Sequence, residues 1–313
     1  MDLNNLKAFV AVAETGSFSQ AAERLHLTQP AVSKRIGLLE TDLKVRLFNR
    51  LGRQVLATEA GKTLLPRAQR ILIEVEASRR ALLELSQGVA GVLTLATSHH
   101  IGLHRLPPVL RHFASHYPQV QLDMRFVDSE WGRQAVLRGE VDLAVVTLPP
   151  EVDPKEPPRD QGSLRYLPVW PDPLAVLAPL DHPLVGEHPV TLEALARHPA
   201  ILPGEMTYTR QIIDQHFQGR GLAPKVAFAT NYLETIKTMV AVGLGWSILP
   251  RTLAGGDVTA LTVTDFILHR TLGLILHRDR TLSNAARAMA DVLSHEVATE
   301  FSPWEQFLTG VAQ

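Results

Sequence analysis

A chain of 313 residues, 45% hydrophobic and 20% charged, is long enough for two or more domains with cores of their own. Its formal net charge of −1 argues against a generally basic, polyanion-coating protein, and the absence of cysteine excludes disulfides, thiolate metal sites and cysteine nucleophiles. The opening MDLNNLKAFVAVAETG has an early acid and no basic stretch. No window approaches the ~20 apolar residues of a membrane span, so we expect no secretion signal, no membrane partner and a cytoplasmic location. The charge is unevenly spread. Residues 1–62 hold nine Lys/Arg against six Asp/Glu, a balance of +3 that leaves −4 for the remainder. Such asymmetry suits a polyanion-facing head on an acidic body.

Leu3, Leu6, Phe9, Val10, Val12 and Ala13 recur at helical spacing, and Gly16 ends that first helix. Ser17 or Ser19 can cap the next, whose Ala21, Ala22 and Leu25 form a small buried face. After the break at HLT, Thr28 can cap a third helix with Pro30 in its first turn, where a missing N–H costs nothing. Val32, Ile36 and Leu39 form its inward stripe, and Gln29, Ser33, Lys34 and Arg35 face outward. A short helix, a tight turn and a second helix with a polar, basic N-terminal half make a helix-turn-helix suited to the major groove. The plainer alternative is a surface helix with solvated charges. VRLFNRLGRQVLATEAG (45–61) then reads as two strands around a turn, with Arg50 and Arg53 flanking it as a wing would, and Thr58 capping the next helix.

Together these residues resemble the N-terminal winged helix of LysR-type transcriptional regulators, without a gap across the first ~60 residues. One departure is Ala57, where the family usually has Leu. The resemblance places Ser17, Thr28, Gln29, Pro30, Ala31, Ser33, Lys34, Arg35, Arg50 and Arg53 at double-stranded promoter DNA.

From Thr58 to about Gln87 one long helix is expected, stopped by Gly88, with Pro66 near its start. Gly61, Leu64, Ala68, Ile71, Val75, Ser78, Leu82 and Leu85 follow the 3-4 rhythm of a coiled-coil seam. A helix on the order of 45 Å long exceeds what the head can cover, so a partner helix from a second chain is expected. The family resemblance implies the same dimer, and a tetramer beyond it.

The body alternates short apolar strands with amphipathic helices. Strands at 92–97, 120–127 and 141–147 and helices at 103–118 and 131–140 form a βαβαβ unit, followed by a Pro-rich loop at 149–158. An extended crossover at 165–179 leads to helices at 192–197, 209–217 and 231–243 and a strand at 245–250. A return crossover at 270–278 and a closing helix at 282–301 complete the chain. One α/β unit inserted in another resembles, more loosely than the head does, the two-lobed periplasmic-binding-protein-like effector domain of the same family, especially at MVAVGLGWSILP. The domains expected are thus 1–58 (winged helix-turn-helix), 59–90 (linker helix) and 91–313 (effector domain). Within the last, the first lobe spans about 91–165 and 268–302, and the second 166–267.

Ligands of such proteins sit at strand carboxyl ends and helix N-termini. ATSHH (96–100), Thr147 and GEMTYT (204–209) fall at such points, and their hydroxyls and N–H groups favour a carboxylate, sulfate or similar anion. The expected contacts are Thr97, Ser98, His99, His100, Thr147 and Thr207, in a layout similar to the family's cysteine-biosynthesis regulators. Ser and Thr at these positions also serve simply as caps. His100/His104 and His112/His116 each sit at i, i+4, but no carboxylate recurs with them at ligand spacing, so no metal and no other cofactor are expected. No nucleotide-binding or nucleophile-elbow motif points to an enzyme. The reading from another class is a solute-binding module whose N-terminal helices serve oligomerisation only.

Overall fold

The computed structural model describes residues 2–51, 54–84, 88–152 and 160–300, with side chains undescribed at 50, 51, 54, 76–84, 160, 161 and 296–300. The chain forms two compact units, Met1–Ser86 and Gln87–Gln313.

In the first unit, α1 (Leu3–Thr15) is capped by the Asp2 carboxylate and closes on Gly16, whose φ of +63° gives the left-handed turn glycine tolerates. The Ser17 hydroxyl caps α2 (Phe18–Arg24), and Thr28 caps α3 (Gln29–Leu43). Between α2 and α3 the chain turns through His26, itself left-handed at φ +53°. β1 (Phe48–Leu51) and β2 (Gln54–Ala57) pair antiparallel as the wing, and α4 (Glu59–Glu84) follows. Leu6, Phe9, Val12, Ala21, Val32, Ile36 and Leu39 form the core, closed by Phe48 from the wing against Phe9 and Phe18.

The connector differs from expectation over its first half. Ala68 is fully buried, and Leu64, Leu65, Ile71 and Leu72 pack on the head core. Gln69 Nε2 donates to Glu14 across α1 at 2.9 Å. Gly61 lies so close to the Leu47 carbonyl that a β-carbon would collide with it. This stretch of the stripe is therefore a packing face of the head rather than an open seam. Ser78, Leu82 and Leu85, at the far end of the seam, lie outside the described side chains.

The second unit opens with β3 (Gly91–Thr97), α5 (His99–His104), α6 (Leu106–His116), β4 (Val120–Phe126), α7 (Ser129–Leu137) and β5 (Leu143–Thr147). The helix expected at 103–118 is α6, starting at Leu106, and α5 before it is a separate short helix that was not foreseen. Pro107 and Pro108 lack the N–H groups that α5 would need to continue, and they suit the first turn of a new helix. Then come β6 (Asp160–Gln161), the 16-residue β7 (Leu164–Pro179), α8 (Leu192–Arg197), β8 (Pro199–Leu202), α9 (Tyr208–Gln218), β9 (Lys225–Ala229), α10 (Leu233–Ala241), β10 (Ser247–Pro250), β11 (Val258–Leu261), β12 (Leu268–His277) and α11 (Asn284–Glu300). β8, β9 and β11 are strands not foreseen, each four or five residues long and so too short to show a period.

Among the described residues, eight strands join one sheet in the order β10-β7-β12-β5-β3-β4, with β6 and β11 also on β7. β3 runs parallel to β4 and β5, whereas β12 is antiparallel to both β5 and β7. β5 is apolar from Leu143 to Val146 because both its faces are covered: Leu143 and Val145 join the core under α6 and α11, and Ala144 and Val146 the core under α7. The second lobe packs around Trp246, whose indole N–H donates to the Leu195 carbonyl at 2.9 Å. Gly245, at φ +154°, passes too close to the Pro199 carbonyl for any side chain.

Before β5, the Asp142 carboxylate accepts from Thr94 N–H (2.9 Å), Thr94 Oγ1 (2.7 Å) and Arg280 Nη2 (2.7 Å), all largely out of solvent. Removing one partner strands a buried charge. We expect Asp142→Ala to cost about 3–5 kcal/mol, read as a lower urea midpoint for the second unit with an unaltered circular dichroism spectrum in buffer.

Candidate functional sites

The outward face of α3 is set by its inward stripe. With Val32, Ile36 and Leu39 buried, the 100° step leaves Gln29, Pro30 and Lys34 exposed, and Ala31, Ser33 and Arg35 half-buried at its flanks. The Thr28 hydroxyl accepts from Ala31 N–H at 3.4 Å, and that of Ser17 from Gln20 N–H at 3.4 Å, so both fix helix starts. Further back, the Glu40 carboxylate accepts the Leu47 and Phe48 N–H groups (2.7 and 3.3 Å) and pins α3 to the start of the wing. Leu38 is exposed on the same helix, a position the sequence pattern did not single out. Of the two wing arginines, Arg53 and the Arg50 side chain lie outside the described residues; the Arg50 backbone pairs with Val55.

In the second unit a cleft of about 350 Å³ opens between the lobes. Ser98, His99, His100, Thr147 and Thr207 line it. Thr97 does not: its side chain is buried, and Oγ1 donates to the Val145 carbonyl at 2.8 Å, which holds β3 to β5. Thr207 caps α9 by accepting from Arg210 N–H and donates to the Gly204 carbonyl, so its hydroxyl is largely engaged. The Ser98 hydroxyl makes no capping bond to α5.

One charge in the cleft was missed by sequence reading. Arg270 of β12 stands opposite Asp172 of β7, and its Nε donates to Asp172 Oδ2 at 2.7 Å. Nη1 donates to Thr209 Oγ1 at 3.1 Å, while Nη2 is buried without a hydrogen-bond partner, as is Asp172 Oδ1. Within the run RTLGLILHR this arginine looks like the edge of an apolar strand. Its position over the cleft depends on the pairing of two strands that lie far apart along the chain.

Beyond those of Arg270, three sets of polar contacts join the lobes around the cleft among those described. Glu130, at the start of α7, accepts the Tyr208 N–H at 2.6 Å. The free N–H groups expected ahead of α9 are therefore already met in part by a carboxylate. Burial raises the Glu130 carboxyl above its ordinary value, against the pull of that N–H, and burial pushes the neighbouring Tyr208 phenol up to about 12. Asn231 Nδ2 donates to Asp128 Oδ2 at 2.7 Å while its Oδ1 accepts Gly204 N–H.

The third contact joins His100 Nδ1 and His104 Nε2, both 2.9 Å from Glu234 Oε1 on α10. Burial alone would raise the Glu234 carboxyl, but the hydrogen bond from His100, with backbone and His104 bonds behind it, holds it at about 2. Burial, the largest influence, lowers the His100 imidazole below its ordinary value against the hydrogen bond with Glu234. No carboxylate recurs with these histidines at ligand spacing in the sequence, but the fold brings one to them: His100, His104 and Glu234 place three donor atoms within 4.8 Å of one another. Phe126, Trp131 and Tyr232 supply the apolar wall of the cleft.

Comparison with known proteins matches this architecture. Residues 3–62 match the bacterial regulatory helix-turn-helix protein, lysR family, and residues 86–298 match the LysR substrate binding domain. An uncharacterized HTH-type transcriptional regulator from the ibpB–leuC intergenic region of Azotobacter vinelandii is 72% identical over 108 residues, 34% of this chain and 75% of that protein. The uncharacterized HTH-type transcriptional regulator YfeR of Shigella flexneri is 30% identical across 93% of this chain and 92% of its own. A full-length OxyR variant of Pseudomonas aeruginosa superposes with a TM-score of 0.65 at 26% identity, covering 97% and 99% of the two chains. No helix among the described residues is long and apolar enough to cross a membrane. With its wing and α3 in one unit and a two-lobed sheet in the other, the chain belongs to the LysR family of DNA-binding transcriptional regulators, with an effector-binding domain behind a helix-turn-helix head.

Proposed function

We propose that the effector is a small anion, a carboxylate or sulfate-type oxyanion, held in the interlobe cleft by Arg270 with the hydroxyls of Ser98, Ser129 and Thr147. The observation that carries this is the buried Arg270 Nη2 with no hydrogen-bond partner at the edge of the cleft. An unmet guanidinium N–H out of water is costly, and an oxyanion meets it with a charge-assisted bond. His99, His100 and Thr207 contribute to the wall, and Thr97 contributes only by holding β3 in place. The cleft volume suits a metabolite-sized molecule.

In the same reading residues 1–58 bind promoter DNA, 59–90 connect and pair subunits, and 91–313 sense the effector. Gln29, Ser33, Lys34 and Arg35 reach base edges and phosphates from α3. Ser17, Thr28, Pro30 and Ala31 set the helix starts against the backbone, and Arg50 and Arg53 grip from the wing. Two heads held together gain by effective concentration what the modest charge of one head lacks. The effector acts by favouring one arrangement of the dimer or tetramer over another, and so one DNA bend over another. The protein has no catalytic role and works in the cytoplasm beside the chromosome.

Two measurements test this. In gel-shift titrations of the full chain on its own upstream DNA, Lys34→Ala and Arg35→Ala each weaken binding by ~1–3 kcal/mol where a base is read, and lower the salt slope by about 1 where a phosphate is held. Unchanged affinity in both variants removes α3 from the interface. In thermal unfolding, sulfate or a small carboxylate at ~100 times its Kd stabilises by about 2.7 kcal/mol. Thr147→Val and Ser98→Ala reduce that shift without altering the unliganded midpoint. If a panel of small anions leaves the midpoint where it was, the anion reading fails.

A further inference from the structure

We propose that His100, His104 and Glu234 form a site for a borderline transition-metal cation of the zinc, nickel or cobalt class, bridging α5 of the first lobe and α10 of the second. His100 and His104 are one helical turn apart on α5, with ring centroids 4.6 Å apart, so both imidazoles leave the helix on one side. Glu234 sits in the first turn of α10 and meets them from the opposite lobe. The three donor atoms lie within 4.8 Å of one another, a span that a cation with ~2.0–2.2 Å bonds closes by small side-chain movements.

The hydrogen bonding within the cluster is unbalanced in a way that a cation would correct. Both imidazoles point a ring nitrogen at the same carboxylate oxygen, Oε1, at 2.9 Å. The other oxygen, Oε2, is buried with no hydrogen-bond partner. A cation uses the lone pairs of His100 Nδ1 and His104 Nε2 instead of their protons, each neutral ring shifting its proton to the other nitrogen. Either or both carboxylate oxygens are then free to coordinate. Two imidazoles and one carboxylate select zinc, nickel or cobalt over magnesium or calcium, which prefer all-oxygen shells. Three protein ligands leave a position open, and the nearest further imidazole is His99, whose Nδ1 is 4.0 Å from Oε2. The His112/His116 pair repeats the sequence spacing, with rings stacked at 4.1 Å, but among the described residues no third donor joins it.

His99 and His100 also line the interlobe cleft, so a cation here would tie the lobes together beside the effector. That regulatory consequence rests on the anion reading above; the metal site itself does not. The test uses full-length, untagged protein stripped with chelator and titrated with cobalt(II), following its visible absorption and displacement by zinc. We expect one cobalt per chain with the intense bands of a low-coordinate site, lost on adding zinc. His104→Ala, at a partly exposed position, and the near-isosteric Glu234→Gln should each weaken binding at least about 100-fold, with His112→Ala unchanged. The proposal is overturned if the wild-type protein takes up neither metal, or if His104→Ala and Glu234→Gln bind cobalt as the wild type does. Cobalt uptake by a protein that no anion stabilises supports the metal site and removes only the anion reading.

Discussion

The buried pair between Arg270 and Asp172 is the constraint around which the second unit is arranged. It joins β12 to β7, the two long antiparallel strands that run from one lobe into the other. An ion pair taken out of water gains little over apolar packing, because each ion loses several kcal/mol of hydration. Its value here is directional. The planar guanidinium is held by Asp172 through Nε and by Thr209 through Nη1, and so presents Nη2 in a fixed direction. A lysine at this place would offer a charge without that orientation.

The lobes meet around the cleft largely through polar contacts: Glu130 with the α9 N-terminus, Asp128 with Asn231, and the α5 histidines with Glu234. Each lobe keeps its own apolar core, built on Phe113 and Met289 in one and on Phe217 and Trp246 in the other. Polar contacts at a cleft mouth can be exchanged for water at small net cost, whereas apolar surface cannot. Such an interface lets a ligand of modest affinity shift the balance between two arrangements, as a sensor requires.

In the head, the first turns of α4 belong to the same core as α1. Gly61 against Leu47, Ala68 at full burial and Gln69 bonded to Glu14 make this part of the connector continuous with the helix-turn-helix core. A force applied to α4 is therefore delivered to a packed body rather than to a loose tether. Dense packing transmits small displacements where a flexible linker would absorb them.

Local physics was readable from residues in order. Ser17 and Thr28 cap helices because a side-chain oxygen lies three residues ahead of unmet N–H groups, and Val32, Ile36 and Leu39 repeat at the helical period. The same local reading left out α5 as a helix of its own and treated Leu64, Ala68 and Ile71 as an open seam, since a stripe announces that it will be buried but not by what. Whether a hydroxyl is free is equally invisible along the chain: Thr97 and Ser98 are neighbours, yet one is spent on a strand carbonyl and the other faces the cleft. The chemistry of the cleft arises from meetings at long range, Arg270 with Asp172 across 98 positions and His100 with Glu234 across 134. Caps, periods and turns are short-range consequences of backbone geometry and can be read in series; the partners of a buried charge depend on which strands pair, and that is set by the packing of the whole unit.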